Sequence, residues 1–203
     1  QVGNWDQKVS TWARRETPLF GSQENATTWS DALRSTAALA DVATILFTPG
    51  GDDRSQSVRN KLKGYALDLA AASAAIGTTR LLKTAVGRTR PSGVDNESFP
   101  SGHVSTAATY DRLAARNLAD INIRPAVRRA LDYGLNAVTF GTAWARIEAG
   151  AHYPSDTLVS IALGNFTANF FKNAFMGSAA GERQSVAALP TPGGFMLKWQ
   201  LRW

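Results

Sequence analysis

Cysteine is absent from the 203 residues of this chain. Disulfides, thiolate nucleophiles and zinc–thiolate sites are therefore excluded, while the compartment stays open, because exported proteins often lack cysteine too. Long apolar runs are also missing. A membrane-spanning helix requires roughly 18 charge-free apolar residues; Asp41 interrupts the first candidate, and Asp68 and Ser73 interrupt the second. Any relation to a membrane is therefore expected to be peripheral. No Lys/Arg run and no zinc-finger spacing occurs, and the basic residues are scattered along helical stretches, so nucleic acid is not an expected partner. Histidine is scarce: only His103 and His152 are present.

What the chain has in excess is positive charge. A formal charge of +6 and a pI near 10.0 favour anionic partners such as phosphate esters or anionic lipid surfaces. The length fits one domain with a sizeable core. Gln1 in place of an initiating Met fits either a removed leader or a chain shortened at its start, and a periplasmic or secreted bacterial protein, with membrane association open, is the expectation.

Most of the chain reads as helix. Trp5, Val9 and Trp12 share one face of a short N-terminal helix. Thr28-Trp29-Ser30-Asp31 resembles a capping signal for a helix to about Phe47, which Pro49-Gly50-Gly51 ends. An Ala/Leu-rich helix is predicted from about Val58 to Val86, with Gly64 and Gly77 as weak points or sites of close packing. Residues 87–100 read as a loop. Ser101 caps a helix to about Asp120, Pro125 opens one to about Glu148, Gly150 breaks it, and a last helix runs from Pro154 to about Ala174.

The end of the chain differs. After Pro190-Thr191-Pro192-Gly193-Gly194, the residues Phe195, Leu197, Trp199, Leu201 and Trp203 alternate with Met196, Lys198, Gln200 and Arg202. That period of two predicts a strand or an extended amphipathic tail. The expected fold class is all-α: a single bundle of about six helices with a short C-terminal amphipathic strand. Residues 1–189 would form the helical domain and 190–203 the linker and tail. No internal repeat is present.

Three clusters carry chemistry. In the first, Lys83 and Arg90 are seven residues apart and would share a face if the helix persisted. Arg grips a phosphate bidentately and Lys adds a compact charge; an ordinary basic helix end is the other reading. Arg88 lies between them and is expected to face solvent. In the second, Ser101 caps a helix, Gly102 allows a ligand close to the backbone, and the free N–H groups form an anion cradle. His103 can offer a proton there, or serve as a surface histidine. In the third, Asp156 follows His152 by one helical turn, and Arg146 comes from the preceding helix end. A carboxylate on one imidazole nitrogen leaves the other as nucleophile; a structural His–Asp pair is the alternative.

Lys83-x6-Arg90-Pro91, then Pro100-Ser101-Gly102-His103, then Arg146-x5-His152-x3-Asp156 resembles the three-part signature of the type-2 phosphatidic acid phosphatase superfamily. That superfamily also includes bacterial class A acid phosphatases and vanadium-dependent haloperoxidases. One departure is Ala145, where the family usually has Ser. The resemblance implies that His152 attacks phosphorus, that Asp156 orients it, and that His103 protonates the leaving group. Lys83, Arg90 and Arg146, with the N–H groups of Ser101 and Gly102, would hold the phosphoryl oxygens. It implies no metal and no cofactor.

The leading expectation is a soluble, metal-independent phosphatase acting on phosphate monoesters or pyrophosphates, with a lean to lipid phosphates. A vanadate-dependent haloperoxidase would use the same residues. A non-enzymatic membrane-associated protein is the reading from another class. The tail would pack on the bundle, pair in a homo-oligomer, or touch a membrane surface.

Overall fold

A computed structural model describes residues 3–16, 18–51, 53–176, 184–191 and 194–201. Six helices follow in order: α1 (Gly3–Arg15), α2 (Gln23–Phe47), α3 (Arg54–Val86), α4 (Gly102–Asp120), α5 (Pro125–Glu148) and α6 (Pro154–Met176). Two antiparallel strands, β1 (Gln184–Thr191) and β2 (Gly194–Leu201), come last. The all-α bundle expected from the sequence is thus the architecture of the chain.

Local chemistry accounts for most helix boundaries. The Ser101 hydroxyl caps α4 at the Val104 N–H, and Pro125 supplies the preset φ at the start of α5. Gly87 ends α3 in the left-handed conformation at φ 58°, which an L side chain resists. Two starts differ from the expectation. α2 begins at Gln23, where Ser22 accepts from the Asn25 N–H, so Thr28–Asp31 lies inside the helix. α3 begins at Arg54, capped by Asp53 on the Gln56 N–H. The expected strand is β2, but it is one arm of a hairpin, and Pro190 and Thr191 end β1 instead of forming a linker. Pro192, Gly193, Arg202 and Trp203 lie outside the described residues, as do the side chains of the tail.

α4 is the central helix and packs on α2, α3, α5 and α6. It can do so because its first turns are small: Ser105, Ala107, Ala108 and Thr109 are all buried. The closest approach is to α6 at Gly164, where an added Cβ would sit 2.5 Å from the Ser105 carbonyl oxygen and 2.8 Å from the Ala108 Cβ. At Gly64 and Gly77 an added Cβ would meet nothing within 4 Å, so neither serves close packing.

The interior is unusually polar. Lys172 bonds Asp68 and Asn117, both at 2.9 Å, and Asn117 donates to Asp41 at 3.2 Å. Burial, reinforced by neighbouring Asp68, pushes the Asp41 carboxyl up to about 8, so it is held protonated at neutral pH. Meanwhile Leu39, Phe47, Leu62, Leu69, Phe140, Leu158 and Phe166 are exposed. Among the described residues no helix is long and apolar enough to cross a membrane.

Gly164→Ala is expected to lower unfolding stability by about 1–3 kcal/mol, because backbone must move to admit the methyl group. Gly77→Ala should instead raise it by about 0.5–1 kcal/mol. Urea unfolding of the two variants checks both signs.

Candidate active site

The C-terminal ends of α3 and α5, the N-terminal ends of α4 and α6 and the first half of α2 meet at one end of the bundle. The loop between α3 and α4 is fastened there by backbone bonds. Arg90 N–H donates to Asp95, Ser98 N–H to Arg88, and Ser92 N–H to Gly150 in the turn before α6. Arg14 of α1 donates to the Pro91 carbonyl at 3.0 Å and lies where a side chain on Gly150 would be.

Arg88 does not face solvent as the sequence suggested. Its guanidinium donates to Asp156 at 2.5 Å, to Ser155 at 2.8 Å and to Asp6 of α1 at 2.8 Å, and stacks 4.1 Å from the centre of the Tyr153 ring. Asp6 and Asp156 are both buried. Arg88 therefore clamps α1, the loop and α6 together.

His152 is buried, and its Nδ1 bonds the Ser98 carbonyl oxygen. A carbonyl can only accept, so Nδ1 carries the proton and the lone pair is on Nε2. Burial, followed by repulsion from Arg146, holds the imidazole well below its ordinary value of 6.5 and keeps it neutral. The direct bond from Asp156 expected from the sequence is not formed. The Asp156 carboxylate accepts from the Ser98 hydroxyl at 2.5 Å, the Tyr153 N–H at 2.8 Å and Arg88. It acts on His152 through Ser98, a residue that the one-turn spacing did not reveal.

His103, in the first turn of α4, bonds the Asp31 carboxylate through Nε2 at 2.8 Å. Asp31 is a further site residue missed in the sequence; Ser30-Asp31 looked like a helix cap, although both sit mid-helix in α2. Burial and Arg146 pull the His103 pKa down from 6.5, and the Asp31 contact opposes them.

Lys83, Arg90 and Arg146 converge on the histidines without sharing a helix face, because α3 ends at Val86. All three depress the pKa of His152. Burial and repulsion from Arg90 lower Lys83 and bring Arg146 down to about 10. Lys83 donates to the Glu97 carbonyl oxygen, and Arg90 pairs with Asp95 at 2.6 Å and more loosely with Glu97 at 3.8 Å. Arg146 is less satisfied: it makes one long bond of 3.4 Å to Ser30, and its buried Nε has no partner. Ala145 is fully buried, so the hydroxyl that reaches this guanidinium comes from α2.

Ser101 and Gly102 divide the cradle. The Ser101 N–H donates to the Ser160 hydroxyl at 2.7 Å, and the residue is fully buried, so that N–H is not available to a ligand. Gly102 opens α4, and an added Cβ there would make only ordinary contact, 3.7 Å from Thr79. Beside Gly102, His103 and Lys83 lies a cavity of about 500 Å³, walled by Arg34, Ala38, Ile76, Arg80 and Tyr110. Among the described residues, no group of three or more His, Asp or Glu is placed to hold a metal ion.

A sequence model of the PAP2 superfamily matches residues 64–178. Two solved structures share the fold. One is described as the first transmembrane PAP2 type phosphatidylglycerolphosphate phosphatase from Bacillus subtilis; it is 20% identical with a TM-score of 0.57, covering 85% of each chain. The other is Aquifex aeolicus LpxE, 16% identical with a TM-score of 0.56, covering 79% of this chain and 90% of that one. No curated protein sequence gives a match.

Arg88→Gln is expected to remove about 1–3 kcal/mol of stability, since two buried carboxylates lose their cation while the guanidinium itself is partly exposed. Denaturant unfolding at neutral pH measures the loss.

Proposed function

Because the chain belongs to the PAP2 superfamily, and is on that ground a phosphoric ester hydrolase, we propose that it removes phosphate from lipid phosphate esters, without a metal ion, through a phosphohistidine at His152. The observation that carries the phosphate reading is the Arg146 guanidinium, buried with an unpartnered Nε among Lys83 and Arg90. A native protein rarely leaves such a donor without a purpose, and an oxyanion satisfies it.

In the first stage the His152 Nε2 lone pair attacks phosphorus and the bond to the leaving oxygen breaks. His103, as imidazolium, gives its proton to that oxygen. In the second, neutral His103 takes a proton from water as the water attacks phosphorus; the P–N bond breaks and neutral His152 is restored. Lys83, Arg90 and Arg146 hold the phosphoryl oxygens, and the N–H groups of Gly102 and His103 assist at the start of α4. Asp156 and Asp31 are positioning residues for His152 and His103.

The lipid reading rests on α3. Val58, Leu62, Tyr65, Leu69 and Ile76 are exposed along one face of that helix, and Ile76 ends the stripe in the wall of the cavity beside His103. Hydrocarbon attached to the leaving group has an apolar path away from the reacting centre. In this reading the enzyme sits peripherally on an anionic lipid surface, on the periplasmic or outer side of a cell, drawn there by its charge of +6. The helical region is the catalytic unit, and the C-terminal tail is a surface or subunit contact. The cavity on the acid side favours a leaving group over the vanadate chemistry of a haloperoxidase.

Wild type is expected to release phosphate from a micellar alkyl phosphate in the presence of chelator, to be inhibited by vanadate, and to lose activity by at least about 10³-fold in His152→Ala. Bromide oxidation by the vanadate-loaded protein with no phosphate release would reverse the assignment in favour of a peroxidase.

The profile of kcat/KM against pH reports the free enzyme. His103 must be protonated and is depressed, so the alkaline limb should fall below the ordinary imidazole value of 6.5. Asp31→Asn removes a contact that raises His103 and should shift this limb further toward acid, with a loss of about tenfold at neutral pH. An unmoved limb would show that Asp31 has no bearing on the acid.

A further inference from the structure

A second cavity, of about 500 Å³, opens at the end of the bundle away from the histidines. The C-terminal half of α2 and the first half of α5 form its walls, and the end of α4 forms its floor. The walls face each other through small residues, Ala40 and Ala43 on one side and Ala130 and Gly134 on the other. Beneath them Leu118 and Leu135 belong to a buried core cluster. Thr44 alone brings a polar side-chain atom to the lining. Its hydroxyl is already engaged, donating to the Asp41 carbonyl oxygen at 2.8 Å and accepting from Asn117 at 3.2 Å. Water there would find few partners, so the space suits hydrocarbon. Gly134 keeps it open. Glycine weakens a helix interior, and an added Cβ would meet nothing within 4 Å, so no close contact requires this one. Its effect is to widen the cavity.

Charge gathers at one end of this apolar space. Arg128 donates to the carbonyl oxygens of Leu118 and Ile121, at 3.1 and 2.9 Å, and so stands where the α4 end of the cavity opens. Arg124 follows the lining residue Ile123, and Arg129 precedes the lining residue Ala130. Both are exposed, and neither guanidinium makes a hydrogen bond or an ion pair among the described residues. Of the carboxylates close by in sequence, Asp132 lies in the field of Arg128, and Asp120 lines a different cavity. Two free cations therefore flank the mouth, and a guanidinium grips a carboxylate bidentately.

We propose that this cavity binds one free long-chain fatty acid anion, with its hydrocarbon between α2 and α5 and its carboxylate at Arg124 and Arg129. The occupant arrives as a free molecule and not as part of a lipid surface, because α3, whose exposed stripe was assigned to that surface, contributes no residue to the lining. This binding is independent of the phosphatase reading, and its readout is affinity alone.

Titration calorimetry on the full chain tests it with octanoate, decanoate and dodecanoate, each below the concentration at which it forms micelles, and with decanol as the uncharged chain. One dodecanoate per chain should bind, with a negative heat-capacity change, and affinity should rise about tenfold for each two methylenes added. Gly134→Leu favours the helix while filling the cavity, and should weaken dodecanoate by at least about tenfold. Should that variant fail to fold by circular dichroism, Ala43→Leu fills the same space from the facing helix. Arg124→Gln combined with Arg129→Gln should weaken decanoate about tenfold and leave decanol within about twofold. Full affinity for dodecanoate in the cavity-filling variant, or equal loss of decanoate and decanol in the arginine variant, overturns the assignment. Absence of dodecanoate binding by wild type also overturns it. Sedimentation then shows what covers the cavity instead: a second copy, if Gly134→Leu dissociates a dimer, or a membrane, if only wild type binds vesicles of anionic phospholipid.

Discussion

Ser98 is the residue through which the chemistry is held in register. Its carbonyl takes the Nδ1 proton of His152, and its hydroxyl donates to Asp156. The backbone thereby chooses the imidazole tautomer, and the carboxylate secures the backbone. From Asp156 the linkage continues through Arg88 to Asp6 of α1. The imidazole of His152, at the turn before α6, is thus oriented by a loop that leaves α3, and the loop is braced by the N-terminal helix. Each bond in this series is buried or partly buried, where geometry is worth more than it is in water.

Around this framework the protein gathers cations that repel one another. Burial first, and the repulsion after it, pull Arg146 down to about 10 and lower Lys83. Asp95 and Glu97 relieve part of it at Arg90, while the Arg146 Nε is left without a partner. Burial, helped by the same field, keeps His152 unprotonated and so keeps its lone pair available. A phosphate dianion entering this space reduces the repulsion and satisfies the open donors at once. In the proposed reading, nucleophile activation and substrate recognition draw on one electrostatic arrangement, not two.

The clusters around Lys83, His103 and His152 were legible in the sequence because each packs its residue types into a short stretch with turn and cap signals. Three later helices, α4, α5 and α6, were legible for a similar reason: Pro125, Gly150 and the Ser101 cap mark their ends. What stayed hidden lies in single residues that act across the fold. Asp31 reads as part of a cap but meets His103 72 residues away, and Ser160 takes the Ser101 N–H from a distance of 59. Spacing put Asp156 one turn after His152, yet could not show that Ser98 intervenes between them. Arg88 looked like a spare cation, since its partner Asp6 lies in an N-terminal helix whose pattern carries no sign of the site. The strand β1 was missed because Gln184–Thr191 lacks the alternation that marks β2.

The distribution of side chains across the bundle joins the site to its surroundings. Small and polar residues fill much of the interior, with Lys172, Asp68, Asn117 and Asp41 bonded to each other, while Leu39, Phe47, Leu62, Leu69, Phe140, Leu158 and Phe166 are exposed. Exposed apolar area gains roughly 25 cal/mol per Å² when it is covered, so a continuous outer stripe is an invitation to a lipid surface or a partner. On α3 that stripe runs into the cavity beside His103. A lipid leaving the cavity and a lipid surface against α3 would then form one apolar phase, so that substrate need not cross water to reach the acid. The other end of the same cavity is charged, with Arg34, Arg80 and Lys83 on its wall.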